Sequence, residues 1–432
     1  MPHDPTLERL LTFLHCSPTP WHAVANMCKR LEQAGYRRLD ETQPWQLSPG
    51  QRVYVTRNDS SLVALQLPTD RLHALRMLGA HSDSPGLRLK PNAAQVSGGW
   101  LQLGVEVYGG ALLAPWFDRD LGLAGRVHLR REDGRLQGVL LNVERPVAFV
   151  PSLAIHLDRE ANNGRAINPQ TQMAPVLLQG GDPGDLERLL KRWLYEQHNI
   201  ENAAILDFEL ALYDTQPPAR VGVEGELIAS ARLDNLLSCF IGLEALLASD
   251  GRQAAVLVAN DHEEVGSASA CGAQGPFLGD VLRRVNAQLG ETGEEGFIRL
   301  IQSSRLISCD NAHALHPNFI DKHDAGHGPA INGGPVIKVN ANQRYATNSA
   351  TSALFRDLCH EVGVPVQTFV TRADMGCGST IGPITATELG VPTLDVGVAQ
   401  WGMHSIRETV GSRDIAYLTR ALTAFLNRAE LL

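Results

Sequence analysis

The residues best suited to chemistry in this sequence are acidic and histidine side chains placed at the ends of short apolar runs. Five such groups occur: His81 with Asp83, Asp234, the stretch 261–264, Asp310, and Asp395 followed by His404. Most of them follow an apolar run, whereas Asp234 stands at a predicted helix start. Ligands of open α/β sheets bind beyond the carboxyl ends of the strands. The sequence therefore predicts that these separate segments converge on one crevice.

A metal centre is the chemistry that such a crevice favours. Imidazole nitrogens and carboxylate oxygens suit zinc, manganese or cobalt. Three carboxylates would repel one another there, and two divalent ions about 3.5–4 Å apart, bridged by one carboxylate, would relieve that repulsion. Because neighbouring residues point in different directions, one of Glu263 and Glu264 can ligate while the other stays free as a general base for a metal-activated water. From the residues alone we expect a dinuclear metallohydrolase.

Each of these residues also has a simpler interpretation. Asp234 could serve only as the N-cap of the helix that follows it. His81 or His404, taken alone, could be an ordinary hydrogen-bonded histidine, and Glu263 with Glu264 could form a solvated loop. We favour the metal site because all of these residues lie at the ends of predicted elements.

Other motifs carry less weight. His313 and His316 are three residues apart and His323 and His327 four apart, but no helical pattern surrounds them, so we predict no metal site there. The glycine-rich segment 376–382 lacks the lysine of a phosphate-binding loop, so a tight turn that needs small residues is the better explanation. The sequence motifs of dinucleotide binding, P-loop hydrolysis, zincins and α/β-hydrolases are absent.

Composition excludes several protein classes. The chain has 432 residues, of which 44% are hydrophobic and 20% charged, as in ordinary globular proteins. Its 38 basic and 47 acidic residues leave a net charge of −9, which argues against nucleic acid or an anionic membrane as a partner. No apolar run reaches the roughly 18 residues of a membrane span. Seven scattered cysteines without a CxxC pair, and no signal peptide, indicate a reducing, cytoplasmic location.

Apolar periodicity predicts alternating helices and strands. Helices are expected over 4–35 with a break near 18–20, 235–249, 348–362 and 412–432, and strands within 51–67 and over 74–80, 254–259, 300–307, 364–370 and 393–398. Residues 96–150 are β-rich, with a hairpin signal at Asp133-Gly134. We therefore expect an α/β fold, a mostly parallel sheet flanked by helices, with an inserted β-rich domain. The main domain would comprise residues 1–88 and 225–432, and the insertion residues 89–224.

Seven short blocks occur in order along most of the chain: Gly79–Leu87, Trp116–Leu121, Leu153–Leu157, Asp261–Ser267, Gly334–Asn340, Gly378–Pro383 and Met403–Glu408. Together they resemble the aspartyl aminopeptidase family, and bacterial members of similar length are the nearest match. The resemblance implies a cytosolic dizinc exopeptidase that removes N-terminal Asp or Glu from peptides. It also implies that the β-rich insertion is a dimerisation domain and that the subunits form a tetrahedral dodecamer with active sites facing an inner chamber.

The resemblance further implies roles for individual residues. The metal ligands are His81, Asp234, Glu264, Asp310 and His404, with Asp234 bridging two ions. Glu263 is the general base, and Asp83 is the carboxylate that orients His81. Zinc is the expected metal, with manganese and cobalt as alternatives.

Lys338 and Tyr345 are expected to recognise the acidic side chain of the substrate. Both lie at positions where the family contacts its substrate. A carboxylate that enters a partly dry pocket needs a cation, which Lys338 would supply. The simpler interpretation of Lys338 is a surface lysine on a strand.

His156 lies in the predicted inserted domain, away from the other candidate residues. Its block matches one that the family uses at the active site of a neighbouring subunit. We therefore expect His156 to stabilise the oxyanion of the tetrahedral intermediate in trans. A metal ligand and a histidine at a domain interface are the alternatives.

The favoured function is that of a metalloaminopeptidase that hydrolyses the peptide bond after an N-terminal Asp or Glu by a metal-activated water. One alternative is another dinuclear metal amidohydrolase, a deacylase or carboxypeptidase, which would not require a free α-amine on its substrate. Another is a non-catalytic self-assembling shell protein, which would be expected to have lost Glu263 or a ligand, although all are present. Acidic peptides and further copies of this chain are the expected partners.

Overall fold

A computed structural model describes residues 5–431, which form two compact units. The first unit runs through Asp83 and continues over Pro218–Met403 and from Glu408 onward, and the second comprises Ser84–Pro217 and His404–Arg407. The domain boundaries predicted from the sequence, after residues 88 and 224, lie a few residues beyond the points where the chain passes between these units, after Asp83 and after Pro217. The predicted boundaries stay a prediction. Across the described residues, no helix has both the length and the apolar character needed to cross a membrane.

The strands and helices follow one another along the whole described chain. The strands are β1 (Arg37–Arg38), β2 (Arg52–Arg57), β3 (Ser61–Gln66), β4 (Leu75–His81), β5 (Gly86–Ser97), β6 (Trp100–Tyr108), β7 (Leu121–Arg130), β8 (Leu136–Ala148), β9 (Val176–Gln179), β10 (Ala204–Asp214), β11 (Ala219–Val221), β12 (Leu227–Ser230), β13 (Ala254–Asn260), β14 (Arg305–Cys309), β15 (Ala312–His313), β16 (Val336–Val339), β17 (Gln367–Val370), β18 (Thr393–Gly397), β19 (Ala399–Trp401) and β20 (Glu408–Gly411). The α-helices are α1 (Pro5–His15), α2 (Pro20–Gln33), α3 (Pro169–Gln172), α4 (Asp185–His198), α5 (Leu233–Leu247), α6 (Phe277–Leu289), α7 (Gly293–Ser303), α8 (Ser349–Glu361), α9 (Ile381–Leu389) and α10 (Ser412–Asn427).

The first unit is built on a nine-stranded sheet of order β1-β2-β3-β13-β4-β14-β18-β16-β17. Its four central strands, β13, β4, β14 and β18, are parallel, while β3 and β16 join them antiparallel on either side. All residues of β4 and β13 are buried, which is typical of parallel strands covered on both faces. A smaller sheet of order β11-β12-β20-β19-β15 completes this unit.

Successive residues of the central strands face opposite layers of helices. Leu78 and Leu257 pack in a core with α1, α2, α5, α8 and α10. Met77 and Val256 pack in a second core with α6 and α7. This two-sided cover confirms the predicted α/β fold, in which a mostly parallel sheet is flanked by helices.

The second unit carries a six-stranded antiparallel sheet of order β8-β7-β10-β5-β6-β9. Strands β7 and β8 form a hairpin whose turn contains Asp133 and Gly134, with Gly134 at a φ of +81° that favours glycine. Leu190 and Trp193 of α4 are buried in the core of this unit. The unit is β-rich, as the sequence of this region indicated.

Some predicted elements were wrong at their ends. The predicted strand 300–307 begins only at Arg305, because residues up to Ser303 belong to α7. Phe297, Leu300 and Ile301 are buried at the spacing of a helix face, and the strand prediction took account only of their apolar character. Strand β17 also starts later than residue 364, and α10 ends earlier than residue 432. Residue 4 of the first predicted helix and residue 432 lie outside the described residues.

Candidate active site

Three parallel strands of the first unit deliver residues to one edge of the large sheet. β4 ends at His81, β13 ends at Asn260, and β14 ends at Cys309, directly before Asp310. Both β13 and β14 pair with β4 in parallel, and Asn260 is the register partner of His81. The carboxyl ends of the three strands therefore meet at the same place, where α/β sheets bind ligands.

Two further segments bring acidic residues to this edge. Asp234 lies at the start of α5, where Asp234 and Asn235 have non-helical dihedral angles. Glu263 and Glu264 lie in a 3₁₀ turn that follows β13. The backbone at Asp234, Glu263 and Glu264 is therefore neither regular α-helix nor strand.

His81 is the centre of this group of side chains. Its Nε2 lies 3.3 Å from Asp234 Oδ1, 3.8 Å from Asp310 Oδ1 and 3.9 Å from Glu263 Oε2. Donor atoms of His81, Asp234 and Asp310 lie within 4.8 Å of one another, as do those of His81, Glu263 and Glu264. The structure thus brings together five of the residues proposed from the sequence to be ligands or base.

Burial and mutual repulsion disturb the charges of these side chains. Burial raises the pKa of Glu263 to about 8, with His81 opposing the rise and Asp310 and Asp234 adding to it. Burial, followed by the charge of Asp234, raises the pKa of Glu264 well above its ordinary value. For His81, burial favours the neutral ring, but the surrounding carboxylates, Glu263 foremost, outweigh burial and raise the pKa well above its ordinary value. The group is a concentration of carboxyl groups around one imidazole, and without a cation the two glutamates favour their neutral forms.

A divalent metal ion fits these residues. In a tetrahedral zinc site with ligand distances near 2.0–2.2 Å, neighbouring donor atoms lie roughly 3.3–3.6 Å apart. The separations of 3.3 and 3.8 Å around His81 Nε2 are close to that range. A cation would also balance the buried carboxylates, which otherwise repel one another. The donor set of nitrogen and oxygen is one that zinc commonly takes.

Asp83 connects the histidine to the two glutamates. Its Oδ1 lies 3.3 Å and its backbone oxygen 3.1 Å from His81 Nδ1. The two carboxylate oxygens accept hydrogen bonds from consecutive backbone N–H groups, Oδ1 from Glu263 and Oδ2 from Glu264, each at 3.1 Å. Asp83 therefore fixes the ring of His81 and the turn that carries both glutamates.

Lys338 and Tyr345 lie beside Asp310. Lys338 Nζ is 3.5 Å from Asp310 Oδ2 and donates a hydrogen bond to the backbone oxygen of Asn311 at 3.2 Å. The ammonium also lies 5.1 Å from the ring centroid of Tyr345. Because the Lys338 side chain is only 2% exposed, its interpretation as a surface lysine does not hold.

Two polar residues near the site received no role from the sequence. Glu408, which is almost fully buried, accepts a hydrogen bond from the backbone N–H of Asp234 at 2.9 Å. Asn311 donates to Gln400 through its side-chain amide and accepts from Lys338 through its backbone. Glu408 is the last residue of one of the seven blocks, and Asn311 directly follows Asp310. These positions in the sequence were the only features that pointed to either residue.

His404 and His156 belong to the second unit. Within that unit, His404 Nδ1 lies 3.1 Å from the backbone oxygen of Gly110. His156 is exposed and lies in a turn in which the N–H of Leu157 donates to the backbone oxygen of Ala154 at 2.8 Å. The metal and oxyanion roles of these two histidines stay predictions.

The weaker motifs of the sequence make local hydrogen bonds. His316 donates its backbone N–H to His323 Nε2 at 3.1 Å, and none of the metal-capable groups found in residues 5–431 contains a histidine from the 313–327 stretch. The glycine-rich segment leads into α9, whose N-cap Thr380 accepts from the N–H of Gly382 at 3.2 Å.

Comparison with known proteins identifies relatives over nearly the whole length of the chain. Residues 13–426 match the family described as aminopeptidase I zinc metalloprotease, M18. A probable M18 family aminopeptidase 2 of Pseudomonas putida strain GB-1 is 56% identical over 426 residues, which cover 98% of each chain.

Solved structures agree with this match. The chain is similar to one in the cryo-EM structure of the Ape4 and Nbr1 complex, with 37% identity and a TM-score of 0.93 over 98% of this chain and 85% of that chain. It is also similar to the structure of the S. cerevisiae mApe1 dodecamer, with 26% identity and a TM-score of 0.84 over 97% of this chain and 95% of that chain. The resemblance found in the sequence is confirmed at the level of the family. The chain belongs to the M18 family of zinc metalloproteases, the aminopeptidase I family.

Proposed function

We propose that this zinc aminopeptidase removes the acidic residues Asp and Glu from the N-termini of peptides. The observation that carries the proposal is the buried ammonium of Lys338, 3.5 Å from Asp310 at the edge of the candidate metal centre. Burying a lysine is costly unless an anion pairs with it. Once Asp310 shares its charge with a metal ion, the ammonium is able to pair with a carboxylate of the substrate.

Tyr345 supports the same specificity. Its side chain is 4% exposed, and its ring faces the Lys338 ammonium at 5.1 Å, an arrangement that stabilises a cation. An apolar substrate side chain placed here would leave the ammonium without a substrate anion. The pocket should therefore disfavour neutral N-terminal residues.

We also propose that the site holds two divalent ions, both zinc, with manganese and cobalt as alternatives. The ligands would be His81, Asp234, Glu264, Asp310 and His404, with Asp234 shared between the ions. Beside His81, the carboxylates of Asp234, Asp310, Glu263 and Glu264 offer more donor atoms than one tetrahedral ion takes, which supports room for a second ion. Bound zinc supplies Lewis acidity, which polarises the scissile carbonyl and makes water a better nucleophile.

Glu263 would act as the general base. It would accept a proton from the attacking water and return it to the amine of the leaving peptide. Asp83 supports this division of work, because it accepts hydrogen bonds from the consecutive backbone N–H groups of Glu263 and Glu264 and so fixes the turn that carries both side chains. One glutamate is then available for the metal and the other for the proton.

The assembly is also part of the proposal: copies of this chain would form dimers and then a dodecamer, and the similar mApe1 structure is described as a dodecamer. In the second unit Leu153, Ile155 and Leu157 are exposed, and His156 lies among them. An exposed apolar segment of this kind suits contact with a second copy. His156 would then donate to the oxyanion in the neighbouring active site.

The cysteines support a reducing compartment. All seven lie within the described residues, none of them forms a disulfide, and four are buried. Free thiols persist where disulfides do not form. We therefore propose the cytoplasm as the location of this enzyme.

Tripeptides that differ only in their first residue, Asp, Asn or Leu, test the specificity. Asp and Asn have the same size and differ in charge, so the ratio of their kcat/KM values isolates recognition of the carboxylate. We expect Asp to exceed Asn by about 10–100-fold, the worth of a hydrogen bond to a charged group. Equal values for Asp and Asn would contradict acidic specificity and leave the aminopeptidase assignment in place.

A further inference from the structure

Asp395 is a fully buried carboxylate that has no part in the proposed reaction. It lies on β18, between β14 and β16 in the large sheet, and its exposure is 0%. A buried charge is stable only when polar groups surround it. Its partners therefore indicate what the residue holds in place.

The side chain of Asp395 joins two loops. Its Oδ2 accepts from the backbone N–H of Ala346 at 2.6 Å, and its Oδ1 accepts from the hydroxyl of Thr380 at 2.7 Å. The backbone N–H of Asp395 donates to Thr347 Oγ1 at 3.0 Å, so the first loop is held at two successive residues. Ala346 directly follows Tyr345, and a hydrogen bond to a carboxylate is stronger than one to a neutral acceptor. Asp395 thus fixes the backbone on which Tyr345 is carried.

The second loop is shaped around the same carboxylate. A Cβ atom on Gly382 would lie 2.3 and 2.4 Å from the two carboxylate oxygens of Asp395. Only glycine fits at this distance, which gives a physical reason for Gly382 in the first turn of α9. The two loops are also tied to each other, because Ser379 Oγ donates to the backbone oxygen of Arg344 at 3.1 Å.

Asp395 also acts on Lys338 through its charge. Burial raises the pKa of Asp395, and the Lys338 ammonium is the strongest of the influences that oppose the rise. Lys338 lies on β16, which is hydrogen-bonded to β18. The ammonium therefore stands in the field of two buried carboxylates, Asp310 and Asp395.

We infer that Asp395 is a positioning residue for acidic specificity: it anchors the loop that carries Tyr345, beside the Lys338 ammonium, without touching the substrate. The inference rests on the proposed recognition of acidic residues by Lys338 and Tyr345. If Asp395 had only a structural role, changing it would lower the stability of the fold and reduce the activity on all substrates alike. A positioning role would affect the binding of acidic substrates selectively.

The Asp395→Asn variant tests this inference, since asparagine keeps the size of the side chain and one acceptor oxygen but removes the charge. We expect KM for an Asp-peptide to rise about tenfold or more, with kcat changed by less than about threefold. KM for a Leu-peptide should change little, and the zinc content should equal that of the wild type. The Asp-over-Leu ratio of kcat/KM would fall accordingly.

Asp414→Asn is a matched control. Asp414 is also fully buried, and it accepts from the backbone N–H groups of Asn332 at 2.7 Å and Gly334 at 2.8 Å. This variant should lose thermal stability while keeping the wild-type Asp-over-Leu ratio.

Should Asp395→Asn fail to fold, Thr380→Val removes a single hydroxyl donor and keeps the carboxylate charge. It should raise KM for the Asp-peptide in the same direction, and an unchanged KM would then count against the inference.

Two results would overturn the inference. One is an Asp395→Asn enzyme whose KM and kcat for both peptides equal those of the wild type. The other is a loss of activity that is equal for Asp- and Leu-peptides, as a general folding defect would give. If the wild-type enzyme showed no preference for Asp, the proposed specificity itself would be contradicted. The wild type is assayed before any Asp395 variant is made, so this failure is distinguished from a failure of the inference.

Discussion

Lys338 and Asp310 form a buried ion pair in which Nζ lies 3.5 Å from Oδ2. The other oxygen of the same carboxylate, Oδ1, lies 3.8 Å from His81 Nε2. Burial favours the neutral acid, but Lys338 and His81 outweigh burial and lower the pKa of Asp310. The carboxylate therefore stays ionised between a candidate metal ligand and the residue proposed to bind the substrate. Asp310 connects the chemistry of the site to its specificity.

Lys338→Met should weaken the recognition of acidic substrates. Methionine keeps the unbranched apolar chain and removes the charge, so KM for Asp-peptides should rise about 10–100-fold and the Asp-over-Leu ratio should fall. Steady-state kinetics with both peptides measure this, together with the zinc content of the variant. Lys322→Met, at a lysine that is 62% exposed, is the control and should behave as the wild type. An unchanged Asp-over-Leu ratio in Lys338→Met would exclude Lys338 from the recognition site.

Glu263→Gln should abolish turnover and keep the metal. The amide cannot accept the proton of the attacking water, and loss of a general base typically lowers the rate about 10²–10⁴-fold. Glu264→Gln should instead lose zinc, because it removes a proposed ligand. Metal analysis and single-substrate kinetics on both variants distinguish the two glutamates. A nearly normal rate in Glu263→Gln, with full zinc in Glu264→Gln, would show that the roles are reversed.

Mixing subunits of two inactive variants tests whether His156 acts in trans. His156→Ala and Glu263→Gln enzymes should each be inactive, since loss of an oxyanion donor costs about 10²–10³-fold in kcat. After subunit exchange, part of the activity should return, because one kind of mixed pair recreates an intact site. Exchange has to be verified independently, for example with two differently labelled subunits. No recovery after verified exchange, or full activity of a dilute monomer, would contradict a role in trans.

His22 should make stability depend on pH. It lies on α2, with Nδ1 2.7 Å from Thr19 Oγ1, and burial, followed by the charge of Arg232, lowers its pKa from 6.5 to about 4. Since the unfolded chain binds the proton more readily, the stability from neutral His22 is fully present above about pH 6.5 and is lost as pH falls towards about 4. Urea unfolding of the wild type and His22→Gln should therefore differ more at about pH 7 than at about pH 5, by roughly 1–2 kcal/mol. An equal difference at both pH values would contradict this role of His22.

Much of the site could be predicted because it depends on where strands end. His81, Asp310 and the Glu263 turn all follow apolar runs, and parallel strands bring their ends to one edge whatever the distance along the chain. Hydrogen bonds between distant segments leave no such pattern. Asp83 accepts a hydrogen bond from the N–H of Glu263, 180 residues away, and Glu408 accepts one from the N–H of Asp234, 174 residues away. Local periodicity also failed at Leu300, since a buried helix and a buried strand both read as apolar runs.

Release of free aspartate from an Asp-peptide, measured with and without a metal chelator, tests whether this protein is a zinc-dependent aminopeptidase that acts on acidic residues. The same peptide with an acetylated N-terminus is the matched control, because an aminopeptidase requires a free α-amine. We expect rapid release from the free peptide, no release after chelation, recovery when zinc is added back, and no release from the acetylated peptide. Release that survives complete removal of zinc, or equal cleavage of the acetylated peptide, would contradict this expectation.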